Sequence, residues 1–301
     1  MMLAPSPWKA CALAGVGHHH PGGHAVKPHT TSAPPRWCII LVGCFVASGG
    51  LTTTGCQYAD EDEGEGPGHR AQKLALSPQQ ELQLGRQAYR EVLDNPEEYG
   101  HVLPKDRPEC RRVRAVAGRI IKAAAIEPLQ REIHLRKGYS FEWELNVFDN
   151  RQVNAFCLPG GKIAVFSGIL RVAEDDGELA TVLAHEISHA LAHHSSERLA
   201  RREMNGVGGG IWSKAFDRSQ ESEADHIGLF LMTFADYDPQ EAVRFWEKMA
   251  QLSAGRQNLP EILSDHPSDA HRVQKMKEWV PKARDAKKAY DEGRIAPAPS
   301  R

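Results

Sequence analysis

The chain has 301 residues, a prior for one or two domains. Its 37 basic and 39 acidic side chains give a net charge of −2, which excludes the basic footprint of a general nucleic-acid binder. Hydrophobic residues make up 41% and charged residues 25%, a globular composition. The one long apolar run, Cys38 to Leu51, falls short of the roughly 20 residues of a spanning helix, so a polytopic membrane protein is excluded too.

Residues 1–37 are low in complexity and carry His18, His19, His20 and His24. A metal-binding tract is one reading, but a stretch without fixed structure, or an upstream extension with the true start nearer Val26, accounts for them better. Arg36, the apolar run and the small residues Thr52–Gly55 then follow the layout of a secretory signal. Cys56 after Gly55 resembles the lipobox of bacterial lipoproteins, with Thr53 where Leu is usual. Cys56 is therefore the expected lipidation site, and Cys44 the substitute. An uncleaved anchor or an ordinary cleaved signal are the alternatives. The acidic, Gly-rich Asp60–Gly68 cannot bury a core and reads as a tether. The expected organisation is a leader over 1–55, a lipidated Cys and tether over 56–69, one folded domain over 70–292 and a disordered tail over 293–301. Cys110 and Cys157, the two cysteines of the folded part, define no disulfide by themselves.

Ser77-Pro78-Gln79-Gln80 starts a helix, with an N-cap, Pro at the first position and Gln at the third, running to about Leu93. A second helix spans about Glu109 to Ala125. Phe141–Val147 alternates and predicts a strand with one buried face. Val153–Leu158 and Ile163–Phe166 are further strands, joined by the turn Pro159-Gly160-Gly161. Helices follow over Glu178–Leu199, apolar on one face, and over Glu221–Ala235, with the flexible loop Gly206–Gly210 between them. Three more helices close the chain: Asp238 to about Leu252, Ala270–Trp279 and Ala283–Tyr290. The fold class is α+β, mainly helical, with a small sheet.

Within the Glu178–Leu199 helix stands His185-Glu186-Ile187-Ser188-His189. Two histidines four apart share a helix face and can reach one Zn²⁺, with Glu186 beside the metal to hold a water. A catalytic zinc needs a third protein ligand and an open position. His193 lies about 12 Å along the helix from His185, too far for one ion, and His194 turns off the face. Ala192 and Ser195 stand where a metzincin has Gly and a third His. The third ligand must come from elsewhere. Glu221 and Asp225, four apart on the next helix, suit a ligand and the acceptor of a zinc-bound histidine's far N–H, whereas Glu223 points nearly opposite.

The chain here resembles the metallopeptidase family of the CAAX prenyl proteases and HtpX, the forty-eighth in the usual numbering, and most closely its bacterial periplasmic lipoprotein branch. Val153–Ile163, Leu183–His189 with His194, Glu221–Asp225 with Gly228, and His266-Pro267 with Arg272 carry the likeness in order along the chain. It implies a zincin-like core with the sheet beside the His-Glu helix, His185, His189 and Glu221 as zinc ligands, and Glu186 as catalytic base. His266 and Arg272 would flank the reacting carbonyl. Departures are His193 where Arg is common, Asp217 where Ser is common, and a short Gly-rich insertion before Glu221.

Two roles stay open for His266: fourth zinc ligand that shuts the resting site, or oxyanion donor, the second slightly preferred. The strand carrying Asn154, Ala155 and Phe156 would offer a backbone edge to extended substrates. The expected function is a zinc endopeptidase, one Zn²⁺ per chain, acting on unfolded or misassembled envelope proteins. It would face the periplasm on a lipid anchor at either membrane and bind no nucleic acid. The alternatives are a non-catalytic zinc-containing chaperone or assembly factor, and an aminopeptidase, although no anchor for a free amino terminus is visible.

Overall fold

The computed structural model describes residues 71–132, 136, 138–204, 216–253, 260–266 and 270–294. The leader, Cys56, the tether, the Gly206–Gly210 loop and most of the tail lie outside these residues. Helix α1 (Pro78–Leu93) starts as the sequence dictates: Ser77 and Gln80 close a reciprocal capping box. Two short helices go beyond the sequence reading, α2 (Pro96–Tyr99) and α4 (Glu127–Glu132), on either side of α3 (Pro108–Ala124). Runs this short carry no usable period.

The sheet has three strands, β1 (Glu144–Phe148), β2 (Ala155–Leu158) and β3 (Lys162–Phe166), in the order β1-β3-β2. β1 runs parallel to β3, with Leu145 opposite Ile163, and β2 is antiparallel to it, with Cys157 opposite Ile163. The β2–β3 turn needs its glycines: Gly160 and Gly161 have φ of 71° and 88°, and a Cβ on Gly161 would meet the Trp143 ring at 2.7 Å. Both faces of the sheet are covered. Leu145, Val147, Cys157, Ile163 and Val165 face the main core, while Phe148, Leu158, Ala164 and Phe166 face a second core under α1 with Tyr89 and Val92. β1 is therefore buried on both sides rather than one, because α1 folds over the face expected to meet water.

Helix α5 (Asp176–Leu191) is capped by Asp175, which accepts the Glu178 N–H at 2.8 Å. It is buried on every side from Glu178 to Leu191, not on one face alone. It packs against α3, β2, α7 (Arg218–Phe234) and α8 (Gln240–Ser253). The expected continuation to Leu199 is broken. His193 takes φ 54°, a left-handed conformation, and α6 (His194–Met204) starts in a new direction. A short helix α9 (Glu261–Asp265) precedes His266. The last two predicted helices are one, α10 (Ala270–Asp291), running through Pro281. Proline removes one amide donor; Val273, Met276, Val280 and Ala283 hold the helix to the core across it. Cys110 and Cys157 are both free and buried.

Candidate metal centre and active site

α5 and α7 cross closely at the site. A Cβ on Gly228 of α7 would lie 3.1 Å from the His185 backbone nitrogen, so a larger residue there would push the two helices apart by a few tenths of an ångström. α7 is aimed by a second capping box, in which Asp217 accepts the Gln220 N–H at 3.0 Å. This brings Glu221 over His185 and His189. His185 Nε2 lies 3.4 Å from Glu221 Oε2 and 3.1 Å from His189 Nε2, and His189 Nε2 lies 3.5 Å from Glu221 Oε1.

His266 joins them from the end of α9. Its Nδ1 is 2.9 Å from Glu221 Oε1 and 3.1 Å from His185 Nε2, and its Nε2 is 3.3 Å from Glu186 Oε1. The start of β2 fixes α9: the Ile262 N–H donates to the Val153 carbonyl at 3.1 Å, and Asn154 Nδ2 donates to Asp265 Oδ2 at 3.1 Å. Asn154 thus helps to hold His266 in place.

The four side chains His185, His189, Glu221 and His266 are buried, and one ligand atom of each lies within 4.8 Å of the others. Imidazole and carboxylate donors of this kind are the usual set for zinc. Glu186 Oε1 is buried and completes no hydrogen bond, as expected of a group meant for a water. The residues fit a zinc ion.

The two carboxylates are tuned apart. Burial pushes Glu186 above the usual carboxylate range, against the nearby His266 and His185. Burial would raise Glu221 as well, but the charges and hydrogen bonds of His266 and His185 outweigh it and hold Glu221 well below that range. One is suited to take and return a proton, the other to stay ionised as a ligand. Burial likewise pushes His189 well below the imidazole range, so it stays neutral.

Asp225 lies beside the first histidine, with Oδ1 3.0 Å from His185 Nδ1. Arg272 differs from expectation. Its guanidinium grips Asp225 in a fork at 2.6 and 2.7 Å, lies 2.9 Å from Glu221 Oε2, and covers the Trp246 ring at 4.7 Å. These contacts reach Asp225, which lies beside His185, and Glu221 itself, because α10 packs beside α7.

β2 is an edge strand whose outer side pairs with no strand among the described residues. The Phe166 N–H donates to the Asn154 carbonyl at 3.1 Å, so by antiparallel alternation Ala155 and Cys157 turn their backbone groups outward. The Ala155 N–H is taken by Asn154 Oδ1 at 2.9 Å. The Phe156 ring packs edge-on to Phe166 in the second core, 5.9 Å between centroids, and its backbone faces Ala164 of β3, so this position presents neither backbone nor side chain at the edge.

Sequence reasoning missed two buried pairs. His193 Nδ1 lies 3.0 Å from Glu81 Oε2 of α1. His194 Nδ1 lies 2.8 Å from His189 Nδ1, and its Nε2 lies 3.0 Å from Glu223 Oε2. The spacing of His194, five beyond His189, was the available signal.

A family model of Peptidase family M48 matches residues 119–209 and 209–280, more than half of the chain. The chain belongs to peptidase family M48. It is a zinc metalloendopeptidase. It is similar to the mitochondrial metalloendopeptidase OMA1 of Saccharomyces cerevisiae, 32% identical over 240 residues that cover 72% of this chain and 68% of the relative. The OMA1 of Schizosaccharomyces pombe is 34% identical over 232 residues, 70% of this chain and 64% of that one. The β-barrel assembly-enhancing protease of Yersinia pestis is 32% identical over 154 residues, 42% of this chain and 32% of the relative. Membership of M48 agrees with the resemblance read from the motifs and with the mainly helical core beside a small sheet. No helix among the described residues is long and apolar enough to cross a membrane.

Proposed function

We propose that this metalloendopeptidase cleaves unfolded or misassembled proteins of a cell envelope, from a periplasm-facing lipid anchor at Cys56. The observation that carries the reading is a buried zinc-ligand cluster with Glu186 beside it and the edge strand β2 alongside α5. An edge pairs with any extended backbone and reads little side-chain sequence. A relative named for β-barrel assembly fits that substrate class.

His185, His189 and Glu221 would hold the zinc, which would supply Lewis acidity toward the carbonyl and lower the pKa of water at the site toward neutral. The outward groups of β2 align the chain to be cut. Glu186 takes the proton of the attacking water and delivers it to the leaving amine. Arg272 and Asp225 keep His185 and Glu221 in place. Digestion of unfolded casein by the purified chain tests the activity: internal cuts support it, no cuts point to a zinc-containing chaperone, and single residues from one end point to an aminopeptidase. Glu186→Gln expressed in the native envelope should co-purify with the substrates themselves.

Of the two roles left open for His266, the convergence of its Nδ1 with the other three ligand atoms favours the fourth-ligand role, which keeps the resting site shut. His266→Ala should raise basal casein cleavage at equal zinc loading. A hundredfold drop in turnover would instead assign His266 to the oxyanion.

The anchor has its own test. Cys56→Ser should abolish labelling by a fatty-acid probe and release the protein from membranes. Unchanged labelling would move the lipid to another cysteine, and no labelling of either form would end the lipoprotein reading.

A further inference from the structure

We propose that His194 and Glu223 are positioning residues that fix the tautomer and ring orientation of His189, and so set the affinity of the site for zinc. The inference rests on His189 as a zinc ligand. In an unbroken helix, position 194 would stand roughly 140° around the axis from His189. The left-handed turn at His193, φ 54°, brings it back instead, and the two Nδ1 atoms meet at 2.8 Å. A non-glycine residue in that conformation is held there by its surroundings. Here Glu81 holds the His193 ring, and Gln220 Nε2 donates to the His194 carbonyl at 3.2 Å.

One proton arrangement satisfies the chain. His189 turns Nε2 toward His185 and Glu221, so that nitrogen must keep its lone pair for the metal. The neutral ring then carries its proton on Nδ1 and donates it to His194 Nδ1. His194, accepting there, carries its own proton on Nε2 and donates to Glu223 Oε2 at 3.0 Å. His194 and Glu223 are both buried, so water does not replace these partners. The two ligand histidines are thus oriented differently: His185 by Asp225 directly, His189 by a carboxylate acting through a second imidazole. Such partners of metal-bound histidines set ring orientation and basicity, and their loss costs about ten- to hundredfold in metal affinity.

The test is zinc affinity of the full-length chain, measured by competition with a chromogenic chelator, beside the urea midpoint of the zinc-stripped protein. His194→Leu should weaken zinc binding ten- to hundredfold. His194→Gln, whose amide can accept from His189 and donate to Glu223, should recover part of the loss. Glu223→Gln keeps an acceptor but loses the charge, and should fall between parent and His194→Leu. A purely structural pair would lower the urea midpoint and leave the zinc affinity of the folded protein within twofold of the parent, which overturns the proposal, as would a His194→Gln no better than His194→Leu. If His194→Leu does not fold, Glu223→Gln decides alone: a loss above twofold supports the relay and equality overturns it. His189→Ala is the control. If it keeps full zinc, the ligand assignment fails; if it loses zinc while the other variants do not, only the relay fails.

Discussion

Glu186→Gln should keep about one zinc per chain and lose proteolysis by a factor of about 10² to 10⁴, the range usual for a removed general base. The separation follows from the geometry. Three imidazoles and Glu221 converge as ligand atoms, whereas Glu186 stands beside the set, its Oε1 3.3 Å from His266 Nε2. The amide is nearly isosteric and stays neutral, so the buried pocket keeps its shape. It cannot take a proton from water. Burial already pushes the Glu186 carboxyl upward, toward the point where accepting a proton and returning it are both easy. Metal analysis of the variant beside a gel of casein fragments is the measurement. Loss of zinc together with activity would make Glu186 a ligand rather than a base, and full activity would remove it from the chemistry.

The parts of the site legible in the sequence are those governed by the helix period. His185 and His189 are four apart, as are Glu221 and Asp225, and each pair shares a face whatever surrounds it. The same rule misjudged His194. It held only while the helix continued, and the left-handed residue His193 carries no glycine to announce the break. Arg272 was legible as a residue of the pattern but not in its role, which depends on where α10 packs. The capping boxes at Ser77 and Asp217 involve residues three apart, and the first was readable on that account. The two-sided burial of β1 was not, because it depends on α1 returning over a strand more than fifty residues later in the chain.

Zinc removal should have the second large effect. His185→Ala or Glu221→Ala should abolish zinc binding, and chelation of the parent should abolish cleavage until zinc is restored. The metal also stabilises the fold, since it binds the native site and not the unfolded chain. At a free zinc concentration about a thousandfold above its dissociation constant, the gain is about 4 kcal/mol. For a domain of this size that is roughly 8–16 °C in melting temperature. The gain should depend on pH with a definite sign. In the stripped protein burial opposes a charge on His185, but Asp225 and Glu221 outweigh it and raise the imidazole from 6.5 to about 9. Its proton therefore stabilises the stripped form fully below about pH 6.5, and that contribution is lost as pH rises through 9. Zinc needs the same ring deprotonated. Affinity, and the zinc-dependent rise in melting temperature, should accordingly be larger at pH 8.5 than at pH 6.5. Calorimetric melts with and without chelator at the two pH values measure it. A zinc-dependent shift equal at both would mean that His185 gives up no proton on binding, and full zinc content in His185→Ala would remove the residue from the ligand set.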